Sequence, residues 1–596
     1  MINRIHWNKI TLVTLVLMGI YLKGIAPPTW AQDGGCSTCP VSIATRGDAN
    51  NDCLINISDP IYILGWLFLG DPQIPEHELD AFLQRANVDG NRWENGDERV
   101  DISDPILLLS FLFLGGGAAP LSLDVDNCDC ILANNMELSE LQSLVDNQFY
   151  DPNGDRIFTI CLEPGVVVGP GAAAEGTLNF SSSLEARNNV HILGKEAQDA
   201  KESVTVLFDR IAINLGDSQG THLSNLTIQP SVGQLSAVSS FFAERLALDG
   251  LNISCPGETF GLFFRDSQID LIRGVTIITN NKQDIFLQNS RVGVMEDLQL
   301  TSFDGTDPDS SRSTGLLFKG NSQVTRISNV TITASDNGIQ VLDQSSVNQI
   351  SNVTITDSNF GIFVDKLIQG DPVTSIGLIE EAHINAGVSA LFAKGFATID
   401  TIRNVDLTTN NPEGRNGIYL LHNAHVNTID GVTINAIKGG IGVINQSRVD
   451  ALRNVTIHAQ GGPQVSGIQI IPSNFEGRKA SIGEIRNVTI ETEYDSSQGI
   501  AVRGPANEPI ANVPQNVVDS IIDFNITTRG PNAIGIQVGL AGQVASPAPV
   551  GVISRGSITS FDRDHCLRIF EETGSQVGNL DLATIQCNGE PLAPAP

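Results

Sequence analysis

The chain has 596 residues, and 35 basic against 67 acidic side chains give it a net charge of −32. That length is enough for one large buried core and a smaller second domain. A surface so acidic repels phosphate backbones and anionic membranes, which argues against nucleic acid as a partner and suits calcium binding or solubility outside a cell.

The first residues follow the pattern of an export signal. Arg4 and Lys9 precede a short apolar run, Ile10 to Leu22, and Thr29 and Ala31 fit the −3 and −1 positions of a cleavage site before Gln32. The run is shorter than the roughly 20 residues that cross a bilayer. Residues 1–31 are therefore expected to be removed, leaving no membrane span and an extracellular or cell-surface protein. Export places the nine cysteines where disulfides form. Five of them, Cys36, Cys39, Cys53, Cys128 and Cys130, crowd the N-terminal region. A zinc site from the two close pairs is conceivable, but Cys128-x-Cys130 is tight for a knuckle, and disulfides clamping this domain are expected instead. The odd total leaves at least one thiol unpaired or bonded between chains.

Two segments then repeat closely. Ile57-Ser58-Asp59-Pro60-Ile61 through Gly70 matches Ile102-Ser103-Asp104-Pro105-Ile106 through Gly115. Each reads as a short helix with Pro in its first turn and Gly just past its end. Oxygen-rich loops precede both. Asp48, Asn50, Asp52, Asn56 and Asp59 occupy positions 1, 3, 5, 9 and 12 of a twelve-residue loop, and Leu54 offers its backbone carbonyl at position 7. A hard cation such as Ca2+ takes six to eight oxygens, and this spacing wraps them around one point. The second loop offers Asp89, Asn91, Asp97, Asp101 and Asp104 if Arg92 to Gly96 bulge out. Asp at position 12, the missing entering helix and the duplication together resemble the dockerin repeat. That resemblance implies calcium as the bound ion, a cohesin-like partner or cell-surface scaffold, and a bacterial source. The pattern departs from the family at Cys53, where a Gly is usual, and in standing directly after the leader. Residues 32–130 are assigned to this domain.

Residues 131–204 are read as a cap and first coils. Met136 to Asp146 has the pattern of an amphipathic helix, and Phe158 to Gly165 that of a first strand and turn. From about 205 to 590 the chain repeats itself. Ser322 to Thr333 and Ser345 to Thr356 share the pattern Val-x-x-Ile-Ser-Asn-Val-Thr-Ile-Thr at an offset of 23 residues (345 − 322). A Gly-Ile-x-Val strand follows each, as at Gly338 and Gly361. Apolar residues alternate inward while Thr points out, and a single unit cannot bury such a face alone. Coils stacked about 4.8 Å apart make one continuous core and a rod on the order of 60 Å long. The fold class expected is thus mainly β, a right-handed parallel β-helix behind a small α-helical domain. It resembles the pectin-lyase-like fold. The recurring Asn329, Asn352, Asn404, Asn454 and Asn487 are read as an internal ladder at a sharp bend, where Asn tolerates left-handed geometry.

The pectin-lyase-like resemblance brings no catalytic motif with it. Asn-Thr-Asp, Asp-Asp, Gly-His-Gly and Arg-Ile-Lys are absent, as is Arg-x-Pro-x-x-Arg. Register offers an independent search. One outward column should read Thr331, Thr354, His383, Asp406, Thr433, Thr456, Thr489, and another Ser328, Ser351, Glu380, Arg403, Asp430, Arg453, Arg486. His383 and Asp406, with Glu380, Arg403 and Asp430 one bend away, are the candidate catalytic residues; the competing reading is an exposed ladder of alternating charges. Insertions at Asp304 to Thr314 and Asn410 to Asn416 fall at one point of the coil and are expected to wall a groove. With four Trp and five Tyr, sugar-stacking platforms are expected to be scarce. Two functions follow: a secreted protein that binds or cleaves extracellular polysaccharide, or a non-catalytic adhesion protein using the rod as a stalk.

Overall fold

The computed structural model describes residues 206–592, apart from the connections 304–312, 367–372, 462–464, 472–479, 504–516, 540–547 and 572–574 and three single residues, together with parts of 49–194. The chain divides into two compact units, Met1–Asp129 and Cys130–Pro596.

In the first unit, helix α1 spans Ser58–Leu69. Pro60 suits its first turn, where no intrahelical partner is lost, and Asp59 complements the positive end of the helix. Ile63 packs with Ala49, Phe82 and Ala86 in a small core, and Trp66 meets Phe82 edge-on at 5.0 Å. Asp59 is buried. It is the one expected calcium ligand among the described residues. The other ten, Asp48, Asn50, Asp52, Leu54, Asn56, Asp89, Asn91, Asp97, Asp101 and Asp104, lie outside them, as do the five N-terminal cysteines.

The second unit is a parallel β-solenoid of about 12 turns. Each coil contributes to three sheets, called here A (Gly-Ile-x-Val strands), B (Val-x-x-Ile strands) and C (Val-Thr-Ile-Thr strands). Gln323–Ala334 runs through B and C without a break and turns at Asn329 (φ 56°). Val324, Ile327, Val330 and Ile332 all point inward, at 0–1% exposure, and Ile339 and Val341 of sheet A close the core. The core is one continuous cluster because every coil presents the same inward columns to its neighbours.

Two corrections concern local structure. The expected Met136–Asp146 helix is corrected at its start: Met136–Glu137 forms a short strand paired in parallel with Val168 and Gly169, and helical residues follow at Ser139, Leu141 and Gln142, with Leu141 buried in the solenoid core. The strand pairs backbone N–H and C=O groups that an open edge would leave without partners. Phe158–Leu162 is a strand, paired with Val190–Gly194. The asparagine ladder runs along the outside of the bend. Asn329, Asn352, Asn404, Asn454 and Asn487 are exposed with φ of 49–56°. Asn352 Nδ2 donates to Asn329 Oδ1 at 2.8 Å, and Asn487 Nδ2 to Asn454 Oδ1. A residue in the left-handed region at a convex corner throws its side chain away from the core, so the amides stack in solvent.

A polar ladder does run inside, at the bend from sheet A to sheet B. Ser267 N donates to Ser290 Oγ at 3.1 Å, and Ser290 N to Ser322 Oγ at 3.2 Å. Near the C-terminal end Cys566 and Cys587 form a disulfide, whereas Cys255 is a buried free thiol.

From Gly261 onward, most strands of sheet A begin at a forced position. A Cβ on Gly338 would sit 2.5 Å from Ile355 Cγ2 and 2.6 Å from the Gly361 carbonyl oxygen, and Gly261 meets Ile277 Cγ2 in the same way. The same pairing of Gly with a β-branched Ile recurs at Gly315, Gly361, Gly417, Gly440, Gly467, Gly499 and Gly535. Between Gly261 and Gly535, Asp284 and Ala390 interrupt the glycine column, and their coils carry Leu300 and Leu407 where the others have Ile. Leucine has no Cγ2 at Cβ, so it leaves room there for Asp284 and Ala390; the coils before Gly261 instead hold Ala212 and Ala237 with Ile228 and Ile253.

Candidate functional site

The register places both charged columns in the expected order. His383 pairs with Asp406 between Thr354 and Thr433, and Glu380 with Arg403 between Ser351 and Asp430. His383 Nδ1 lies 3.1 Å from Asp406 Oδ2, with 66% and 57% of the two side chains exposed. Arg403 binds Glu380 directly, and that hydrogen bond raises the guanidinium above its ordinary value. Asp430 Oδ1 instead accepts from Asn454 Nδ2 at 2.7 Å, which ties it to the asparagine row.

These five residues form two separate ion pairs and an amide contact. The left-handed residues Glu381 and Asn404 stand at the bend between the pairs. The same edge of sheet B carries Arg273 on Asp249 and continues through Glu296 to Arg326 at 3.1 Å. On sheet C, His458 and Glu491 make a further pair at 3.3 Å in the next outward column, so charge interrupts the threonine face in more than one place. An alternating ladder explains this pattern, each exposed pair contributing under about 1 kcal/mol.

The outward face of sheet A carries a feature that the sequence reading passed over. Position x of Gly-Ile-x-Val is aromatic in three successive coils, Phe363, Phe392 and Tyr419, which pair in register. Phe360 joins them, 5.7 Å from Phe363 and 5.4 Å from Phe392, and Phe363 and Phe392 are 5.2 Å apart. Tyr419 extends the stack at 5.5 Å from Phe392. These spacings fit tilted and offset aromatic packing, with ring quadrupoles complementary.

Cations border the rings. The Arg415 guanidinium lies over Phe392 at 5.1 Å and over Tyr419 at 5.0 Å. Its loop is fixed by Arg415 N donating to the Val388 carbonyl at 2.7 Å and Glu413 N to Asn411 Oδ1 at 2.9 Å. Among the described residues Arg415 makes no ion pair. Lys394 Nζ sits 5.3 Å from the Phe363 centroid and 3.0 Å from Asp365 Oδ2. Burial raises the Asp365 carboxyl above its ordinary range, and the lysine hydrogen bond opposes this. The loop 410–415 lies between sheets C and A, beside the rings, and 304–312, with Asp304, Asp307 and Asp309, is outside the described residues. The signal was present in the sequence: expecting few platforms from Trp and Tyr alone left 24 Phe uncounted.

No protein-family model matches the sequence, and no curated protein matches it. Several solved structures follow a similar chain course. The A-module of mannuronan C-5 epimerase AlgE6 from Azotobacter vinelandii is 11% identical over 78% of this chain and 97% of its own, with a TM-score of 0.31. The tailspike protein of E. coli bacteriophage HK620, in complex with a pentasaccharide, is 11% identical over 76% and 78%, with a TM-score of 0.31. The catalytic domain of a GH87 α-1,3-glucanase, in complex with nigerose, is 13% identical over 79% and 71%, with a TM-score of 0.29.

Proposed function

We propose that this is an exported protein whose solenoid binds linear polysaccharide outside the cell on the outward face of sheet A. In the same proposal the 32–130 region folds around calcium and docks onto a cohesin-like or surface-scaffold partner. Export rests on the leader pattern, and calcium on the spacing of oxygen ligands in the first loop. The observation that carries polysaccharide binding is the ring stack Phe360, Phe363, Phe392 and Tyr419 with Arg415 across it, in which Phe392 is 5% exposed and the other three rings are half-buried. The C–H bonds on one face of a sugar ring are weakly positive and meet the negative face of an aromatic ring, as the guanidinium does here. Arg415, which makes no ion pair among the described residues, adds a donor fork for hydroxyl or carboxylate oxygens.

The second reading, adhesion without cleavage, is favoured by the His383–Asp406 pair, which lies exposed on the sheet C face as one of several ion pairs along the solenoid. One experiment addresses both. The mature protein is titrated against neutral and acidic polysaccharides, with and without calcium, while reducing ends and unsaturated products are followed. Tyr419→Ala and Arg415→Ala should each weaken binding by roughly tenfold, about 1.4 kcal/mol. Unchanged affinity in both variants would sink the proposed binding face. His383→Ala and Asp406→Ala should leave binding and any product release unaltered. Loss of a cleavage activity in either would make that pair catalytic.

A further inference from the structure

The aromatic stack occurs twice. Phe260-Gly261-Leu262-Phe263 repeats the pattern of Phe360-Gly361-Ile362-Phe363, 100 residues earlier (360 − 260). Phe260, Phe263 and Phe286 form the same triangle as Phe360, Phe363 and Phe392. Its sides are 5.6, 5.7 and 5.3 Å, against 5.7, 5.4 and 5.2 Å in the other. A fourth ring flanks each: Phe241, 5.6 Å from Phe263, and Tyr419, 5.5 Å from Phe392. A lysine borders each stack, over non-equivalent rings: Lys282 Nζ lies 5.2 Å from the Phe260 centroid and 3.6 Å from Glu258, whereas Lys394 lies over Phe363, the counterpart of Phe263, and beside Asp365.

The two stacks share one outward column. It runs Phe263, Phe286, Leu317, Gln340, Phe363, Phe392, Tyr419 through consecutive pairings in sheet A. Three coil steps separate Phe286 from Phe363, about 14 Å at the spacing of neighbouring strands. Core packing does not demand these rings, since Leu317 and Gln340 hold the same outward position in the coils between. Duplication of the ring triangle at two places on one face, with Phe260 and Phe286 half-buried and Phe263 8% exposed, is what a ligand with its own repeat would engage.

We infer that the Phe260/Phe263/Phe286 stack is a second sugar-binding subsite, and that the ligand is a linear polysaccharide lying parallel to the rod axis and touching both stacks at once. This rests on the binding face proposed above. A chain held at both places gains effective concentration at the second stack once the first is occupied, whereas a fragment too short to bridge them does not.

The test uses the mature full chain and size-fractionated linear oligosaccharides of a neutral β-glucan and of a polyuronate, from disaccharide upward. Calorimetry should give two sites per chain for short fragments and one tight site for bridging chains, with a gain in affinity on the order of 100-fold. Phe260→Ala with Phe286→Ala should reduce the short-fragment stoichiometry to one and abolish the gain with length. Phe260→Leu with Phe286→Leu keeps the apolar bulk, and its thermal midpoint checks folding; it should lose the same subsite. One short-fragment site in the wild type, lost with Tyr419→Ala and indifferent to both Phe260/Phe286 variants, would overturn the second subsite and leave the first standing. No binding of any fragment by the wild type would overturn both.

Discussion

Replacing Gly338 by alanine is expected to destabilise the solenoid by about 3 kcal/mol, at the upper end of overpacking costs. The added methyl would meet Ile355 Cγ2 at 2.5 Å and the Gly361 carbonyl oxygen at 2.6 Å, and neither is the loose end of a flexible side chain. Ile355→Leu alone should cost under about 1.5 kcal/mol, being nearly volume-conserving. The double variant should recover part of the loss, with a coupling energy of roughly 1–2 kcal/mol. Coils 284 and 390 are the natural precedent, since leucine stands at 300 and 407 where the glycine column is broken. Thermal unfolding with amide exchange in the coils around 338 and 355 measures this. Additive effects of the two substitutions would show that the glycine answers to the backbone alone.

Relative to its Asp284→Asn variant, the wild-type protein should lose stability as pH rises, by up to about 1.4 kcal/mol per unit. Asp284 is fully buried in the glycine column. Its Oδ1 accepts from Thr279 Oγ1 at 2.8 Å, and its Oδ2 has no partner among the described residues. Burial raises its carboxyl well above the ordinary 3.8, with the threonine bond opposing. The nearby Cys255 thiol is pushed up by its own burial and by this carboxyl. Below the unfolded-state value the acid is protonated in both states, and its contribution is complete. Above that value the unfolded chain releases the proton while the folded chain keeps it, so the contribution falls until the folded-state value is reached. Comparison with the asparagine variant cancels the pH dependence of the remaining 66 acidic residues (67 − 1). Denaturant midpoints of both proteins between about pH 4 and 9 provide the test. A constant difference across that range would mean that the carboxyl ionises without penalty.

Much of the solenoid was legible in the order of residues. The alternation in Val330-Thr331-Ile332-Thr333 states which side chains face inward, and the recurrence of Asn at one point of each unit marks the bend. Both charged columns, from Thr331 to Thr489 and from Ser328 to Arg486, could be written down in register because strand periodicity and corner residues recur whatever the loop length. What those columns do was less legible. His383 and Asp406 look singular when only their own column is read. Once His458–Glu491 is seen on the same sheet, and Asp249, Arg273, Glu296 and Arg326 beside it on sheet B, they become part of a wider charge pattern. Similarly, a left-handed Asn says that the chain turns, but not on which side of the corner its amide emerges.

By itself the sequence determined the class of this protein's main domain: a stack of parallel coils around an aliphatic core, with an acidic surface and glycine at one forced position. Those properties follow from local periodicity and from the steric needs of single residues. Only the tertiary structure decided which side chains on different coils become neighbours. Phe363, Phe392 and Tyr419 are 29 and 27 residues apart (392 − 363, 419 − 392), an irregular interval set by loops of unequal length. They meet because each loop, whatever its length, returns the chain to the same hydrogen-bonding register one strand spacing further along the rod. The aromatic face and its duplicate are therefore products of closure, although the Phe260-Gly261-Leu262-Phe263 and Phe360-Gly361-Ile362-Phe363 motifs that begin them stand in the sequence.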